Sequence, residues 1–394
     1  MKTLNNNYLK LLIGISLLVT ILVLPSIQKD TDTSASAIEI RNTESKSISN
    51  KYAGLIYREK IHKIDSFLKR HEKSYYFQGN VLVGHKGQVI YKNSFGYANP
   101  KRKTDLDEHS VFQLASVSKQ FTAAAVMILQ QKGFINYSDT IQKFFPEFPY
   151  EGITIQMLLN HTSGLPNYMW LLEHKWNKER IPYNDDVIRL LNKHKLHLYF
   201  TPGTRFNYSN TGYVVLAAII EKVSQMSYGD FLKQHIFEPL GMQNSFVYSP
   251  AIDKKPKEIL SGYKIWGHRY RKIPYTINDG AVGDKGIYST MNDLFKWDQA
   301  LYSNKLLTEE NKKRAFEPLT LKNGYHYPYG FGFRLKDMDS TKTVYHYGKW
   351  NGFRTGLIRF VEDSSTVVIL NHTNRSGNSK ITRNIKEILK SKES

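Results

Sequence analysis

Apolar residues recur every three or four positions at the start and the end of the region from residue 56 to 394, which is the spacing of one helix face. They are Ile61, Ile64 and Phe67 in a helix predicted to start near Tyr57, and Ile381, Ile385 and Ile388 in a final amphipathic helix. From about residue 116 to 223 further helix-like apolar segments alternate with loops that contain proline and glycine. These patterns predict helices at both ends of the region and in its middle.

Short runs rich in β-branched residues predict strands on either side of the helical middle. Residues 80–84 and 89–91 form a predicted hairpin, and further strands are predicted over 343–346, 355–360 and 366–371. An antiparallel sheet built from both chain ends, flanked by helices and joined to an all-helical subdomain, is an α+β (mixed α/β) arrangement. We expect a functional site in the cleft between these two parts.

The first 28 residues have the pattern of an export signal. Lys2 and Lys10 precede an apolar run from Leu11 to Leu24, which is shorter than the ~20 residues of a full membrane span. The small-residue pattern Ala35-Ser36-Ala37 lies far beyond this run, so a cleaved signal peptide and a retained N-terminal membrane anchor both stay open. We predict an exported protein, periplasmic or extracellular, anchored to the membrane if residues 1–28 are kept.

Composition narrows the classes of function. Residues 29–55 are polar and suit a flexible linker, which leaves residues 56–394 as the functional domain. The chain contains no cysteine, which excludes disulfides, thiolate catalysis and Cys-ligated metals. A formal net charge of +20 favours an anionic envelope surface as surroundings. The basic residues are scattered and not interleaved with aromatic residues, so we expect no nucleic-acid partner.

The strongest candidate chemistry is the sequence Ser116-Val-Ser-Lys119, which leads into a nearly all-apolar helix up to Leu129. Residues three apart share a helix face, and a helix N-terminus offers free N–H groups and positive potential. A lysine must lose roughly 3 pKa units to act as a base at neutral pH, which burial can supply. Ser-x-x-Lys also occurs at Ser26 and Ser261, and neither opens a long apolar helix.

Two further segments bring polar groups that fit acyl chemistry. Tyr208-Ser-Asn210 precedes a second apolar helix, and flanking cations would lower the pKa of a tyrosine there so that it can shuttle a proton. Asn210 can hold a substrate carbonyl or the base. The same Tyr-x-Asn spacing also starts at Tyr91, Tyr97 and Tyr302, so by itself it also fits an ordinary loop.

The third segment, His346-Tyr-Gly348, ends a predicted strand before Lys349. A glycine at a strand edge lets a ligand approach the backbone, and the N–H of Lys349 could pair with that of Ser116 as an oxyanion hole. The alternative for His346 is a structural or surface histidine.

The three segments, in this order, resemble those of the penicillin-recognising serine hydrolases, and the likeness runs from about Tyr57 to Leu389. The branch with class C β-lactamases, D-Ala-D-Ala carboxypeptidases, esterases and D-aminopeptidases is the most similar. Residues 158–166 and the hairpin of residues 79–96 also look like that family. The resemblance implies a β-lactamase/transpeptidase-like fold and no metal or other cofactor.

The resemblance also implies roles for the matching positions. Ser116 would be acylated, Lys119 and Tyr208 would share general-base and proton-relay work, and Asn210 would orient the acyl side chain. His346 and Gly348 would contact substrate, and the backbone N–H groups of Ser116 and Lys349 would form the oxyanion hole.

One departure from the family pattern affects the expected substrate. The third motif of the family usually begins with Lys, which holds a substrate carboxylate as a fixed charge, whereas His346 offers only part-time charge. We therefore predict a hydrolase of esters or D-amino-acid amides, on small molecules or cell-wall polymers. The alternatives are a D-Ala-D-Ala carboxypeptidase or weak class C-type β-lactamase, and a non-catalytic envelope binding or sensor protein.

Overall fold

The computed structural model describes residues 57–391 except for 255, 257, 258, 268, 339, 340 and 376. The predictions of a signal or anchor over 1–28 and of a linker over 29–55 lie outside the described residues. No helix within the described part of the chain has both the length and the apolar character to cross a membrane.

Helices and short strands alternate through the described chain. The helices are α1 (57–75), α2 (Ser118–Gln131), α3 (Ile155–Leu159), α4 (Tyr168–Lys175), α5 (Asn184–His194), α6 (Asn210–Ser224), α7 (Tyr228–Leu232), α8 (Met291–Ala300), α9 (Glu309–Ala315) and α10 (Asn378–Lys390). The strands are β1 (Gly79–His85), β2 (Gln88–Phe95), β3 (Tyr97–Asn99), β4 (Thr104–Asp105), β5 (Phe112–Gln113), β6 (Phe246–Val247), β7 (Tyr263–Trp266), β8 (Arg269–Lys272), β9 (Ile287–Ser289), β10 (Leu319–Thr320), β11 (His326–Tyr327), β12 (Arg334–Met338), β13 (Thr341–Trp350), β14 (Phe353–Phe360) and β15 (Ser365–Asn371).

The main sheet joins strands from both ends of the chain, as the sequence predicts. Six antiparallel strands lie in the order β12-β13-β14-β15-β1-β2, so the last long strand, β15, pairs with the first, β1. The predicted hairpin is β1–β2, and its turn residues Lys86 and Gly87 both have positive φ, of 51° and 73°. That combination is typical of a type I′ turn, whose twist fits a two-residue hairpin.

Alternating side chains of the sheet enter two separate apolar cores. Val81 and Ile369 pack on one face with residues of α1 and α10, including Ile64, Ile381 and Ile385. The opposite face packs against α8, and its core continues through residues of α2 and α6 into the helical middle of the chain. The predicted α+β arrangement, with helices packed on a sheet built from both ends of the chain, is confirmed.

The strand that carries the third motif is longer than predicted. We expected it to end at His346–Gly348, but β13 continues to Trp350 because Gly348, Lys349 and Trp350 pair with β14. On its other side β12 pairs only with residues 341–345 of β13. On the side of β12, the last residues of β13 therefore have no neighbouring strand in the described structure, and there they pass the segment that contains Ser116.

Candidate active site

Ser116 lies in a single 3₁₀ turn, Ala115–Val117, that runs directly into α2. It therefore precedes the first α-helical residue, Ser118, rather than lying in the first full α-turn. Its side chain is half-buried, whereas most of the residues around it are buried. Ala115 has φ of 50°, a left-handed conformation that costs energy for a residue with a Cβ. Tertiary contacts therefore hold this turn in a conformation that its own sequence does not favour.

Lys119 is fully buried one turn after Ser116, with Nζ 3.3 Å from Ser116 Oγ. The same Nζ donates to Asn210 Oδ1 at 2.9 Å and to the backbone oxygen of Asp284 at 2.8 Å. A neutral amine has two N–H groups and one lone pair. If the two acceptors take both N–H groups, the lone pair faces Ser116 Oγ, which is the geometry that a general base needs.

The surroundings of Lys119 favour the neutral amine. Burial lowers the pKa of Lys119 to about 8, since a buried ammonium loses its hydration. The Asp284 carboxylate raises the pKa in opposition, and the Arg334 guanidinium lowers it further. With a pKa of about 8, about a tenth of Lys119 is unprotonated at pH 7, far more than for a lysine in water.

Tyr208 lies beside this lysine, with its ring centroid 5.0 Å from Lys119 Nζ and 5.3 Å from the guanidinium carbon of Arg334. The expectation that flanking cations lower the pKa of this phenol is wrong. Burial raises the pKa well above its usual range, although the Ser116 hydroxyl and Arg334 act in the opposite direction. The buried hydroxyl has no well-formed hydrogen bond in the described part of the chain. Tyr208 is therefore a neutral phenol that can give or relay a proton, and Lys119 is the better base.

Asn210 is positioned by the start of α6. The helix begins at Asn210, and the Ser209 hydroxyl caps it by accepting from the N–H of Gly212 at 3.3 Å. Asn210 Oδ1 is engaged with Lys119. Of the two functions considered for this amide, the geometry favours holding the base.

His346 is buried and both of its ring nitrogens have protein partners. Nδ1 lies 2.8 Å from the carbonyl oxygen of Tyr347, and Nε2 lies 3.2 Å from the hydroxyl of Tyr329. Burial lowers the pKa of His346 well below its usual value, and the charges of Lys119 and Arg334 lower it further. Both ring nitrogens are engaged within the protein in this arrangement, and direct substrate binding by His346 stays a prediction.

The partner of His346 belongs to a longer hydrogen-bonded chain. The N–H of Ser209 donates to His161 Nδ1 at 3.1 Å, so His161 Nε2 carries the proton that it donates to Tyr329 Oη at 2.9 Å. Tyr329 then donates to His346 Nε2, and His346 Nδ1 donates to Tyr347. Every proton in this chain has one direction, which fixes both histidine tautomers.

Gly348 is required for a different reason from the one predicted. A Cβ at this position would lie 2.3 Å from the carbonyl oxygen of Leu114 and 3.0 Å from the Cβ of Ala115. The chain's own backbone thus approaches Gly348 closely, which places β13 against the turn of Ser116, and the approach of a ligand stays a prediction. The side chain of Lys349 is exposed. An oxyanion hole from the N–H groups of Ser116 and Lys349 stays a prediction.

The other copies of the motifs lie elsewhere. Lys264 is exposed on the hairpin β7–β8, and Ser26 lies outside the described residues. The hydroxyl of Tyr91 donates to Asp65, Tyr97 is on the short strand β3, and Tyr302 packs under Arg359. Among the described copies of these motifs, the structure brings Ser116 and Tyr208 to Lys119.

Sequence reasoning missed Arg334, His161, Tyr329 and Asp284. His161 was part of the segment 158–166 that resembles the family, and this was the one available signal. Arg334 and Asp284 are ordinary charged residues whose approach to Lys119 depends on long-range packing. In the described residues, no group of three or more His, Asp and Glu side chains is arranged to hold a metal ion.

A serine next to a buried lysine with a lowered pKa, completed by a phenol and an amide, defines a serine hydrolase site. Comparisons with known proteins agree with this class. The family model described as Beta-lactamase matches residues 64–390. Penicillin-binding protein 4* of Bacillus subtilis is 39% identical over 311 residues, covering 75% of this chain and 68% of that protein.

Two further similarities support the assignment. A D-aminopeptidase of Brucella anthropi is 27% identical over 74% of this chain and 55% of its own length. The crystal structure of a penicillin binding protein from Bacillus halodurans superposes with a TM-score of 0.72 at 24% identity, over 83% of this chain and 98% of the other, which supports the fold. The chain belongs to the Beta-lactamase family and is a serine hydrolase.

Proposed function

We propose that this protein is an exported hydrolase that cleaves esters or D-amino-acid amides through an acyl-enzyme on Ser116. The observation that carries the proposal is the geometry of Lys119, whose two hydrogen bonds to Asn210 and Asp284 turn its lone pair toward Ser116. The D-aminopeptidase relative supports the amide part of the proposed substrate class.

The proposed reaction has two steps. Lys119 takes the proton of Ser116 while Oγ attacks the acyl carbon, and the leaving alcohol or amine receives a proton from Lys119 or through Tyr208. Water then attacks the acyl-enzyme with the same groups acting in reverse. Because Tyr208 Oη has no well-formed hydrogen bond in the described structure, it is available to the leaving group.

The missing cation of the third motif separates this function from a second candidate. Neutral His346 cannot hold a substrate carboxylate, which favours uncharged esters and amides. Arg334 nevertheless places a guanidinium 5.3 Å from the Tyr208 ring, with no carboxylate partner among the described residues. That cation favours a D-Ala-D-Ala carboxypeptidase or a weak β-lactamase as the second candidate.

The decisive experiment is labelling with a neutral fluorophosphonate, read by intact-mass spectrometry and peptide mapping. We expect one adduct on Ser116 and none in Ser116→Ala, whereas Ser261→Ala, which alters another Ser-x-x-Lys of the described chain, labels like the wild type. Absence of labelling, together with equal ester turnover by wild type and Ser116→Ala, would leave only a binding protein.

A substrate panel then separates the two enzymatic candidates. We expect p-nitrophenyl esters and D-amino-acid amides to be turned over faster than nitrocefin or a D-Ala-D-Ala peptide. If Arg334 holds a carboxylate, Arg334→Gln lowers kcat/KM for the carboxylate-bearing substrates by about tenfold and leaves the neutral esters unchanged. Turnover of the peptide alone, lost in Arg334→Gln, would establish the carboxypeptidase.

A further inference from the structure

A second buried lysine, Lys285, lies next to the active site and has no part in the reaction described above. It is 3% exposed, and its neighbour Asp284 is 1% exposed. Lys285 Nζ lies 3.3 Å from Asp284 Oδ1 and donates to the hydroxyl of Tyr168 at 2.6 Å, while that hydroxyl donates to Asp284 Oδ2 at 3.1 Å. Buried ionic groups are costly, so this closed arrangement needs an explanation.

The loop that carries the pair is held tightly over Lys119. Gly283 has φ of 103°, and a Cβ there would lie 2.4 Å from the carbonyl oxygen of Tyr213 in α6. Thr122 of α2 donates to the carbonyl oxygen of Gly283 at 2.6 Å. These contacts to both helices aim the backbone oxygen of Asp284 at Lys119 Nζ. The carbonyl and the carboxylate of one residue therefore act on the same lysine.

These two groups of Asp284 have opposite consequences for a base. The carbonyl is a neutral acceptor that orients the amine of Lys119. The carboxylate favours the ammonium form of Lys119, which cannot accept a proton from Ser116. A base at this position needs the carbonyl of Asp284 but is impeded by an uncompensated carboxylate.

Among the other side chains around Lys119, Arg334 opposes the effect of this carboxylate on the pKa of Lys119, but it does not pair with the carboxylate. Tyr208, Tyr213, His161 and His346 are buried neutral groups, since burial raises the pKa of the phenols and lowers that of the imidazoles. Arg334 acts from β12, and it contacts the rings of Tyr208 and Tyr329 rather than Asp284. The cation in contact with Asp284 is Lys285.

We propose that Lys285 is a positioning residue that neutralises the Asp284 carboxylate, so that Lys119 can lose its proton and act as the base for Ser116. The Tyr168 hydroxyl holds both partners of the pair, and the ring of Trp350 covers Lys285 Nζ at 4.7 Å. Burial lowers the pKa of Lys285, and the carboxylates of Asp284 and Asp279 oppose this shift and favour its ammonium form. Trp350 donates to Asp279 at 2.6 Å and so holds the second carboxylate. The inference rests on the proposed function of Ser116 and Lys119.

The test is the pH dependence of Ser116 labelling by a neutral fluorophosphonate, in a pH series centred on 8, the approximate pKa of Lys119. The acidic limb is the pH range in which the labelling rate falls as Lys119 becomes protonated. In Lys285→Met the uncompensated Asp284 carboxylate stabilises the ammonium form of Lys119, so this limb moves up by about one pH unit. In Asp284→Asn the limb moves down by about one pH unit, since the carboxylate is gone and the carbonyl stays. The double variant returns toward the wild-type limb.

The double variant distinguishes charge compensation from simple damage to the loop. Structural damage would lower the plateau rate of labelling in each single variant, and the losses would add up in the double variant. Charge compensation instead moves the limb in opposite directions in the two single variants, and the two shifts cancel in the double variant. Lys312→Met removes another buried lysine, which is paired with Glu309 in α9, and should leave the limb in place. Limbs that coincide in wild type and both single variants, or that move the same way, would overturn the inference.

Two milder variants carry the test if Lys285→Met does not fold. Lys285→Arg keeps the charge and should keep the wild-type limb, and Tyr168→Phe removes the donor to Asp284 and should raise the limb slightly. Failure of the proposed function gives a different result, because the wild type itself would then not be labelled. If the wild type is labelled but the limb does not move in Tyr168→Phe or in Asp284→Asn, the positioning role of Lys285 is rejected and the proposed function is kept.

Discussion

The two sides of the active site differ in how completely their polar groups are paired. On the helical side Tyr208 Oη has no well-formed hydrogen bond in the described structure, and Lys119 Nζ lies 3.3 Å from Ser116 Oγ. Toward the sheet side, Tyr329 and His346 form a chain with His161, which follows α3, and each proton in this chain has an acceptor. Groups that must exchange protons with a substrate are left available, and groups that must keep their places are satisfied within the protein.

The difference explains why the histidine of the third motif is compatible with activity. A buried cation at position 346 would add to the positive charges of Lys119 and Arg334. Neutral His346 instead anchors Tyr329, whose ring lies edge-on to that of Tyr208 with centroids 6.3 Å apart. The sheet side therefore contributes shape and hydrogen-bond order, and Arg334 is the charged group that it presents near the phenol.

Of the variants predicted here, removal of the base Lys119 should have the largest effect on the labelling rate of Ser116. We expect Lys119→Met to slow labelling of Ser116 by about a thousandfold, because the serine loses its proton acceptor. Lys264→Met, in the exposed copy of the spacing, should label at the wild-type rate. An unchanged rate in Lys119→Met would remove this lysine from the mechanism.

The pH profile of the wild type sharpens the same point. The folded-state pKa of Lys119, about 8, lies below the ordinary value of 10.5 because of burial, so the base form is present above pH 8 and is lost as the pH falls. We expect kcat/KM for a neutral ester to decline about tenfold for each pH unit below that value. A value of kcat/KM that stays constant down to about pH 4, where carboxylic acids titrate, would contradict a lysine base.

Gly348→Ala should produce an intermediate effect by pushing the two sides apart. The added methyl group would meet the carbonyl oxygen of Leu114 at 2.3 Å, so β13 or the turn of Ser116 must move. We expect a loss of about 1–3 kcal/mol in the free energy of unfolding and a clear fall in the labelling rate. Gly229→Ala is the control, since its Cβ would make only ordinary contact with Val247 at 3.4 Å. Wild-type labelling in Gly348→Ala would show that the contact does not position Ser116.

Tyr329→Phe should change the labelling rate least and act mainly on stability. The hydroxyl joins His161 Nε2 to His346 Nε2, so its loss leaves two buried ring nitrogens unpaired and costs about 1–3 kcal/mol in chemical unfolding. Tyr302→Phe is a matched control, because the Tyr302 hydroxyl is buried without a well-formed hydrogen bond in the described chain. Equal stability of the two variants would argue against the directed chain on the sheet side.

The sequence by itself determined the parts of the protein that depend on local spacing. Apolar periodicity predicted the hairpin β1–β2, the amphipathic helices α1 and α10, and the sheet built from both ends of the chain. It could do so because burial of one face of an element requires that periodicity. The proximity of Ser116 and Lys119 followed from one turn of helix.

The tertiary structure decided everything that depends on residues far apart in the chain. Whether Lys119 is neutral depends on burial and on Asp284, 165 residues away. The direction of the pKa shift at Tyr208 was predicted wrongly, and the protein partners of His346 were not predicted, because desolvation and hydrogen bonding are set by the packing of several segments. Spacing specifies which side chains can meet on one element, but the dielectric surroundings and the remaining partners of a side chain exist only after the elements pack.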